Sequence, residues 1–213
     1  MKVYYSERAR EYEKDYFRND PIRQEEQILI QQKLQKLFTD RSILEIACGT
    51  GYWTQFIAKT AKHITALDYS NEVLNIASQK AIPPSKVDFL QGDAYQLDKI
   101  PGRFEGCVAN FWFSHIPKFK IQEFLNQLHD KFDSGTIVFM ADNIYIDSIG
   151  GTLVHKENDP NTYKIRNLDN GTKYEIIKNY YTEEELKNIF IPVSNDLQID
   201  MGQCFWWVSY KIK

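Results

Sequence analysis

The chain has no apolar run long enough to span a bilayer. Its opening stretch, "MKVYYSERAREYEKD", is polar and has no apolar segment of the kind found in secretory leaders. It has only three cysteines, Cys48, Cys107 and Cys204, odd in number and far apart, so no disulfide framework is implied. No CxxC spacing occurs, which argues against a zinc site and leaves no metal expected. Each cysteine sits in an apolar, strand-like context and is expected to be a buried, reduced thiol. Basic charge is not in excess. The net charge of -3 does not resemble the basic footprint of a protein that holds a long nucleic acid, and leaves room only for a local basic patch. Internal repeats and low-complexity linkers are also missing. With 43% apolar and 26% charged residues, the chain is neither disordered nor a coiled coil. These absences together point to a soluble, cytoplasmic protein with no membrane or nucleic-acid partner, whose 213 residues suffice for one domain.

What is present is an alternation of short apolar runs and amphipathic segments. Tyr5, Tyr12 and Tyr16 are spaced as one face of a helix. Asp20-Pro21 reads as an N-cap followed by a favoured first-turn proline. The helix it opens is expected to run to about Phe38, with Ile22, Leu29, Ile30, Leu34, Leu37 and Phe38 inward. "SILEIA", "HITALD", "KVDFLQGDA", "FEGCVANFWF" and "GTIVFMADN" then read as five strands. Helical faces lie between them: Trp53, Phe56, Ile57 and Ala61, then Val73, Leu74 and Ala77 behind a Ser70 or Asn71 cap. The clearest is Ile121, Phe124, Leu125, Leu128 and Phe132. Short apolar strands with intervening helices require a parallel sheet covered on both faces.

After Asn143 the pattern changes. Two alternating runs flank Asn170-Gly171, a hairpin signal. Thr182 and Glu185 form a capping box for a short helix. "LQIDM" and "CFWWVSYKI" close the chain as strands. The expected fold class is α/β: a doubly wound, seven-stranded, mostly parallel sheet. Its last strand is antiparallel, and a hairpin insertion follows strand five. The single domain divides into an N-terminal helical cover (1–40), a cofactor-binding core (41–143), the insertion (144–180), and the closing helix and strands (181–213).

The segment "ACGTG" falls between strand one and its helix, where open α/β sheets bind ligands. Gly49 and Gly51 there let the backbone approach a ligand and adopt φ > 0. A dinucleotide wants G-x-G-x-x-G, and Thr54 stands where the third glycine belongs. S-adenosylmethionine has no pyrophosphate, and its cationic amino acid tail suits a carboxylate such as Glu45, which would otherwise be costly in a buried strand.

Here the sequence resembles the class I S-adenosylmethionine-dependent methyltransferases of small-molecule type. The resemblance rests on four markers in order, each at the end of an expected strand. The first is "EIACGTG", an acid followed by glycines at alternate positions, with Glu45, Gly49 and Gly51 in register and Ala47 replacing one glycine. The second is Asp68 with Tyr69, the third Asp93 with Ala94, and the fourth "ANFWFSHIP". The resemblance implies a Rossmann-like methyltransferase fold with S-adenosyl-L-methionine as cofactor. Asp68 would chelate the ribose hydroxyls, Tyr69 flank the adenine, and Asp93 approach the adenine amino group. Asn110 and Phe111 would meet the methionine end, with Ser114 and His115 toward substrate. Thr50 and Trp53 join the cofactor set from the first turn and its helix.

The resemblance also implies an N-terminal cover, from which Tyr5, Arg8 or Tyr12 would reach the cofactor or the substrate. The reaction implied is methyl transfer to the oxygen, nitrogen or carbon of a small-molecule acceptor. His115 is the first candidate for a general base, Asp142 and His155 the weaker ones, and a carboxylate acceptor would need none. The alternatives are a nicotinamide oxidoreductase and a cofactor-binding partner subunit without catalysis of its own. No "NPPY"-like motif follows strand four, where "NFWF" stands, which disfavours a nucleic-acid substrate.

Overall fold

The computed structural model describes residues 2–147 and 149–213, Lys2 by its backbone alone. A seven-stranded sheet runs through the molecule in the order β3-β2-β1-β4-β5-β10-β9. Its strands are β1 (Ser42–Ile46), β2 (His63–Asp68), β3 (Val87–Gln91), β4 (Gly106–Asn110), β5 (Ile137–Asn143), β9 (Ser194–Met201) and β10 (Phe205–Ile212). The first five are parallel. β10 enters antiparallel between β5 and β9, as expected from the two closing runs.

Strand periodicity divides the core into two layers. Leu44, Ile46, Cys107, Ala109, Val138 and Met140 face α5 (Ile121–Asp130) and α6 (Glu183–Phe190). Ile43, Val108, Phe139 and Ala141 face the other way, toward α2 (Pro21–Leu37) and the short α3 (Thr54–Ile57). The five helical residues expected inward from Ile121 to Phe132 are all buried. All three cysteines are buried and unpaired. Among the described residues no helix is long and apolar enough to cross a membrane.

The helix starts follow their caps. Asp20 accepts from the Arg23 N–H at the head of α2. Ser70 accepts from Val73 at the head of α4 (Asn71–Ala77). Thr182 and Glu185 close the expected capping box of α6.

Three expectations need correction. Ile22 and Leu29 are exposed, and Arg23, Glu26 and Gln27 occupy the buried face of α2 instead. The reason is a polar contact: the Glu26 carboxylate accepts the N–H groups of Gln203, Cys204 and Phe205 in the turn between β9 and β10. The tyrosine-rich stretch is not one helix. It forms α1 (Lys2–Arg8), a turn, and a single 3-10 turn over Tyr12–Asp15. Tyr5, Tyr12 and Tyr16 still meet in a chain of ring contacts across that break. β4 ends at Asn110 and does not reach "FWF", because Phe111 takes φ +58°.

The insertion carries more structure than a hairpin. β6 (Thr152–His155), β7 (Thr162–Asn167) and β8 (Lys173–Ile177) form a three-stranded antiparallel sheet. The β7–β8 turn spans 168–172 and is closed by Leu168 N–H donating to Thr172 O and Gly171 N–H to Leu168 O. This sheet supports the N-terminus: Tyr4 packs on Leu168 and Ile176, and Lys14 pairs with Asp169.

Candidate functional site

The carboxyl ends of β1, β2, β3 and β4 surround a cavity of about 170 Å³. The turn after β1 forms one wall. Gly49 adopts φ +57°, and a Cβ there would meet the Tyr12 ring at 3.7 Å. Its N–H donates to Asp68 Oδ2 at 2.9 Å, while Asp68 Oδ1 accepts the Ser70 N–H. Gly51 (φ +74°) serves packing: a Cβ there would lie 3.0 Å from that of Ala77 on α4. Ala47 holds the left-handed region at φ +53° without being glycine. With Phe111 it gives two left-handed non-glycine residues at the ends of neighbouring strands. Such backbone is costly and concentrates at functional sites.

Ten of the expected residues share this cavity. Ala47, Gly49, Asp68 and Tyr69 line it from β1 and β2, and Asp93 and Ala94 from the end of β3. Phe111 and His115 line it from β4, and Tyr5 and Tyr12 from the N-terminal cover. Burial raises the Asp68 pKa from its ordinary value, and the N–H groups of Ser70 and Gly49 oppose the rise.

Others lie behind the wall. Thr50 donates to Glu13 at 2.6 Å, and Glu13 also pairs with Lys80 at 2.7 Å, so the turn, α4 and the N-terminal segment are tied together. Trp53 is buried, stacked 5.4 Å from the Phe111 ring, and donates to the Tyr16 hydroxyl. Glu45 is buried with Oε2 unpartnered, and the nearby Thr54 hydroxyl closes no hydrogen bond to it. Burial pushes its pKa to about 8, with Thr54 pulling the other way and Asp68 adding a smaller rise. Asn110 is buried too, both ends of its amide unpartnered.

His115 occupies the junction of this cavity with a second, smaller one. Its Nδ1–H donates to Ile177 O at 2.6 Å, and its Nε2 accepts from the Tyr5 hydroxyl at 2.6 Å. Burial and the Lys178 charge lower its pKa, so the ring is neutral. Ser114 is not free to meet a substrate: its hydroxyl accepts from Lys178 Nζ at 2.7 Å and its N–H donates to Asp142. Asp142 is likewise spent, binding Lys178 and the N–H groups of Ser114 and Asn143. His155 is exposed on β6 and lines none of the cavities described.

Sequence reasoning missed Tyr95 and Trp112 as cavity walls. Their position beside the third and fourth markers was the available signal. It also missed Lys178, Arg166 and Arg23, which carry no local motif.

Residues 43–135 match the family described as a methyltransferase domain. Over 79 residues the chain is 32% identical to a demethylmenaquinone methyltransferase of Bacillus licheniformis, covering 36% of this chain and 34% of that protein. The chain thus spans about a third of the length of the curated relatives it matches. Among solved structures, DhpI in complex with SAH superposes with a TM-score of 0.78 at 22% identity, over 99% of this chain and 94% of that one. A complex titled DhpI-SAM-HEP gives 0.76 at 23% identity, over 98% and 94%. The fold is that of the class I S-adenosylmethionine-dependent methyltransferases. In this methyltransferase fold the carboxyl ends of β1 to β4 build the cavity, and Tyr5 and Tyr12 of the N-terminal segment line it from the other side.

Proposed function

We propose that this protein transfers the methyl group of S-adenosylmethionine to a small-molecule acceptor. What carries the reading is a pair of acids at the ends of β2 and β3, Asp68 and Asp93, that line one cavity beside the Gly49 turn. The match of residues 43–135 to a methyltransferase domain supports it. Asp68 would hold the ribose hydroxyls, with Tyr69 and Ala94 against the adenine and Asp93 at its amino edge. Behind the cavity wall, the unpartnered Oε2 of buried Glu45 and the unpartnered amide of Asn110 fit an ammonium group that brings its own donors. Bound there, S-adenosylmethionine supplies a methyl group already activated by its sulfonium.

The chain's own task is to orient the partners and exclude water, an effect worth ~7–11 kcal/mol in well-aligned reactions. The cover is placed for that: Glu13 is tied to Thr50 and Lys80, and Ser6 donates to Ser70. Tyr5 and His115 stand together at the junction of the cavities, where the acceptor enters. His115 Nε2 is a proton acceptor there, reached through the Tyr5 hydroxyl.

Asp68→Ala is expected to weaken S-adenosylhomocysteine binding about 100-fold, since it removes charge-assisted bonds to two hydroxyls. Isothermal titration calorimetry measures this, with circular dichroism to verify the fold. A variant that binds like the parent would show that Asp68 does not hold the ribose.

A further inference from the structure

The second cavity is lined mostly by polar groups, and its character is basic. It shares Tyr5, Tyr12, Phe111 and His115 with the first, so the two meet along one wall. Beyond that wall stand Arg8, Arg23, Arg166 and Lys178. The nearby carboxylates are already engaged. Asp15 binds Arg8 and Arg18, and Asp142 binds Lys178. Four cations against the carboxylates of Asp15 and Asp142 leave a surplus of positive charge.

Arg23 and Arg166 make that surplus specific. Arg23 is buried, yet its guanidinium reaches only neutral acceptors: Asp15 O at 3.3 Å and Asn143 Oδ1 at 3.4 Å. It lies 4.4 Å over the Phe205 ring, which fixes its plane. Arg166 projects from β7 and its buried Nε has no hydrogen-bond partner. Gly150 makes room for it, since a Cβ there would lie 2.7 Å from a terminal guanidinium nitrogen. Among the described residues neither arginine forms an ion pair. Uncompensated buried charge is costly, and a guanidinium is matched best by a bidentate oxyanion. A third cavity continues outward past Arg18, Arg23 and Arg166, which gives the site an approach lined by the same charge.

We infer that Arg23 and Arg166, with Arg8 and Lys178 around them, bind the oxyanion of the methyl acceptor, and that the acceptor is a small organic acid. The inference rests on the methyl-transfer reading for the word acceptor. The rival occupant of the cluster is the carboxylate of the methyl donor's own amino acid tail. The tail's ammonium travels with that carboxylate, so the tail does little to offset the surplus.

The test uses the full chain saturated with S-adenosylhomocysteine at fixed ionic strength. Inorganic phosphate and acetate are titrated in separate arms, with uncharged trimethyl phosphate as control, followed by calorimetry and thermal shift. At least one anion is expected to bind the saturated protein, and the arm that responds tells phosphoryl from carboxyl chemistry. Arg166→Gln is expected to weaken that anion roughly tenfold or more while leaving S-adenosylhomocysteine affinity unchanged. Arg166→Lys should fall between the two. Three results overturn the inference: no anion binding, equal anion binding by Arg166→Gln, or competition between the anion and S-adenosylhomocysteine. Failure of the parent to bind S-adenosylhomocysteine at all sinks the methyl-transfer reading first, in a separate titration, and the acceptor assignment with it.

Discussion

Replacing Lys178 with methionine is expected to destabilise the folded chain by about 3–5 kcal/mol, the cost of leaving a buried carboxylate unpaired. Lys178 Nζ lies 2.7 Å from Asp142 Oδ1, and both side chains are almost wholly buried. Burial alone would push the Asp142 carboxyl up, but the Lys178 ammonium brings it below the ordinary value. Burial pulls the Lys178 ammonium down, and Asp142 resists. The pair also joins the end of the insertion to the end of β5, so its loss loosens the wall that presents His115 and Ile177. Urea unfolding of Lys178→Met measures the cost. A second variant that adds Asp142→Asn should recover much of it, because it removes the stranded charge. A Lys178→Met protein as stable as the parent would show that the pair does not hold the insertion.

Glu45→Gln is expected to stabilise the ligand-free protein, and only above the ordinary carboxyl range. The folded pKa of Glu45 is raised from 4.5 to about 8, chiefly by burial. Below the unfolded value the side chain is neutral in both states and the substitution changes little. As the pH rises toward 8 the unfolded chain is favoured, because only there does the carboxyl ionise freely. The parent therefore loses roughly 3 kcal/mol by pH 7 and about 5 kcal/mol once the pH passes the folded pKa. The amide cannot ionise, so the variant should escape that loss. Unfolding by urea at pH 5 and pH 8 measures it: little difference at pH 5 and a clear gain at pH 8. An equal gain at both values would contradict a protonated Glu45. The same substitution should weaken S-adenosylhomocysteine binding, since the carboxylate is the partner proposed for the tail ammonium.

The central sheet was legible because its signals are local. "SILEI", "HITAL" and "GCVAN" are apolar runs that both faces must cover, and the intervening helices announce parallel strands. The caps at Asp20, Ser70 and Thr182 are read within four residues of chain. The acids at 45, 68 and 93 were found because each ends such a strand. What escaped depends on distant partners. Arg23, Glu26 and Gln27 displaced Ile22 and Leu29 from the buried face of α2 because Glu26 binds the turn before β10, far along the chain. β6 lacked an alternating run and forms only through its pairing with β7. Arg166 belongs to one strand of what looked like an ordinary hairpin, and Lys178 follows directly on the other. Folding alone brings them to His115, and no spacing in the sequence carries that information.

What the cavity beside Gly49 binds decides the function of this protein. Calorimetric titration of the purified chain with S-adenosylhomocysteine and, separately, with NADH tests it. A saturable one-to-one isotherm with S-adenosylhomocysteine, and no heat from NADH, is the predicted result. Binding of NADH with none of S-adenosylhomocysteine would contradict it.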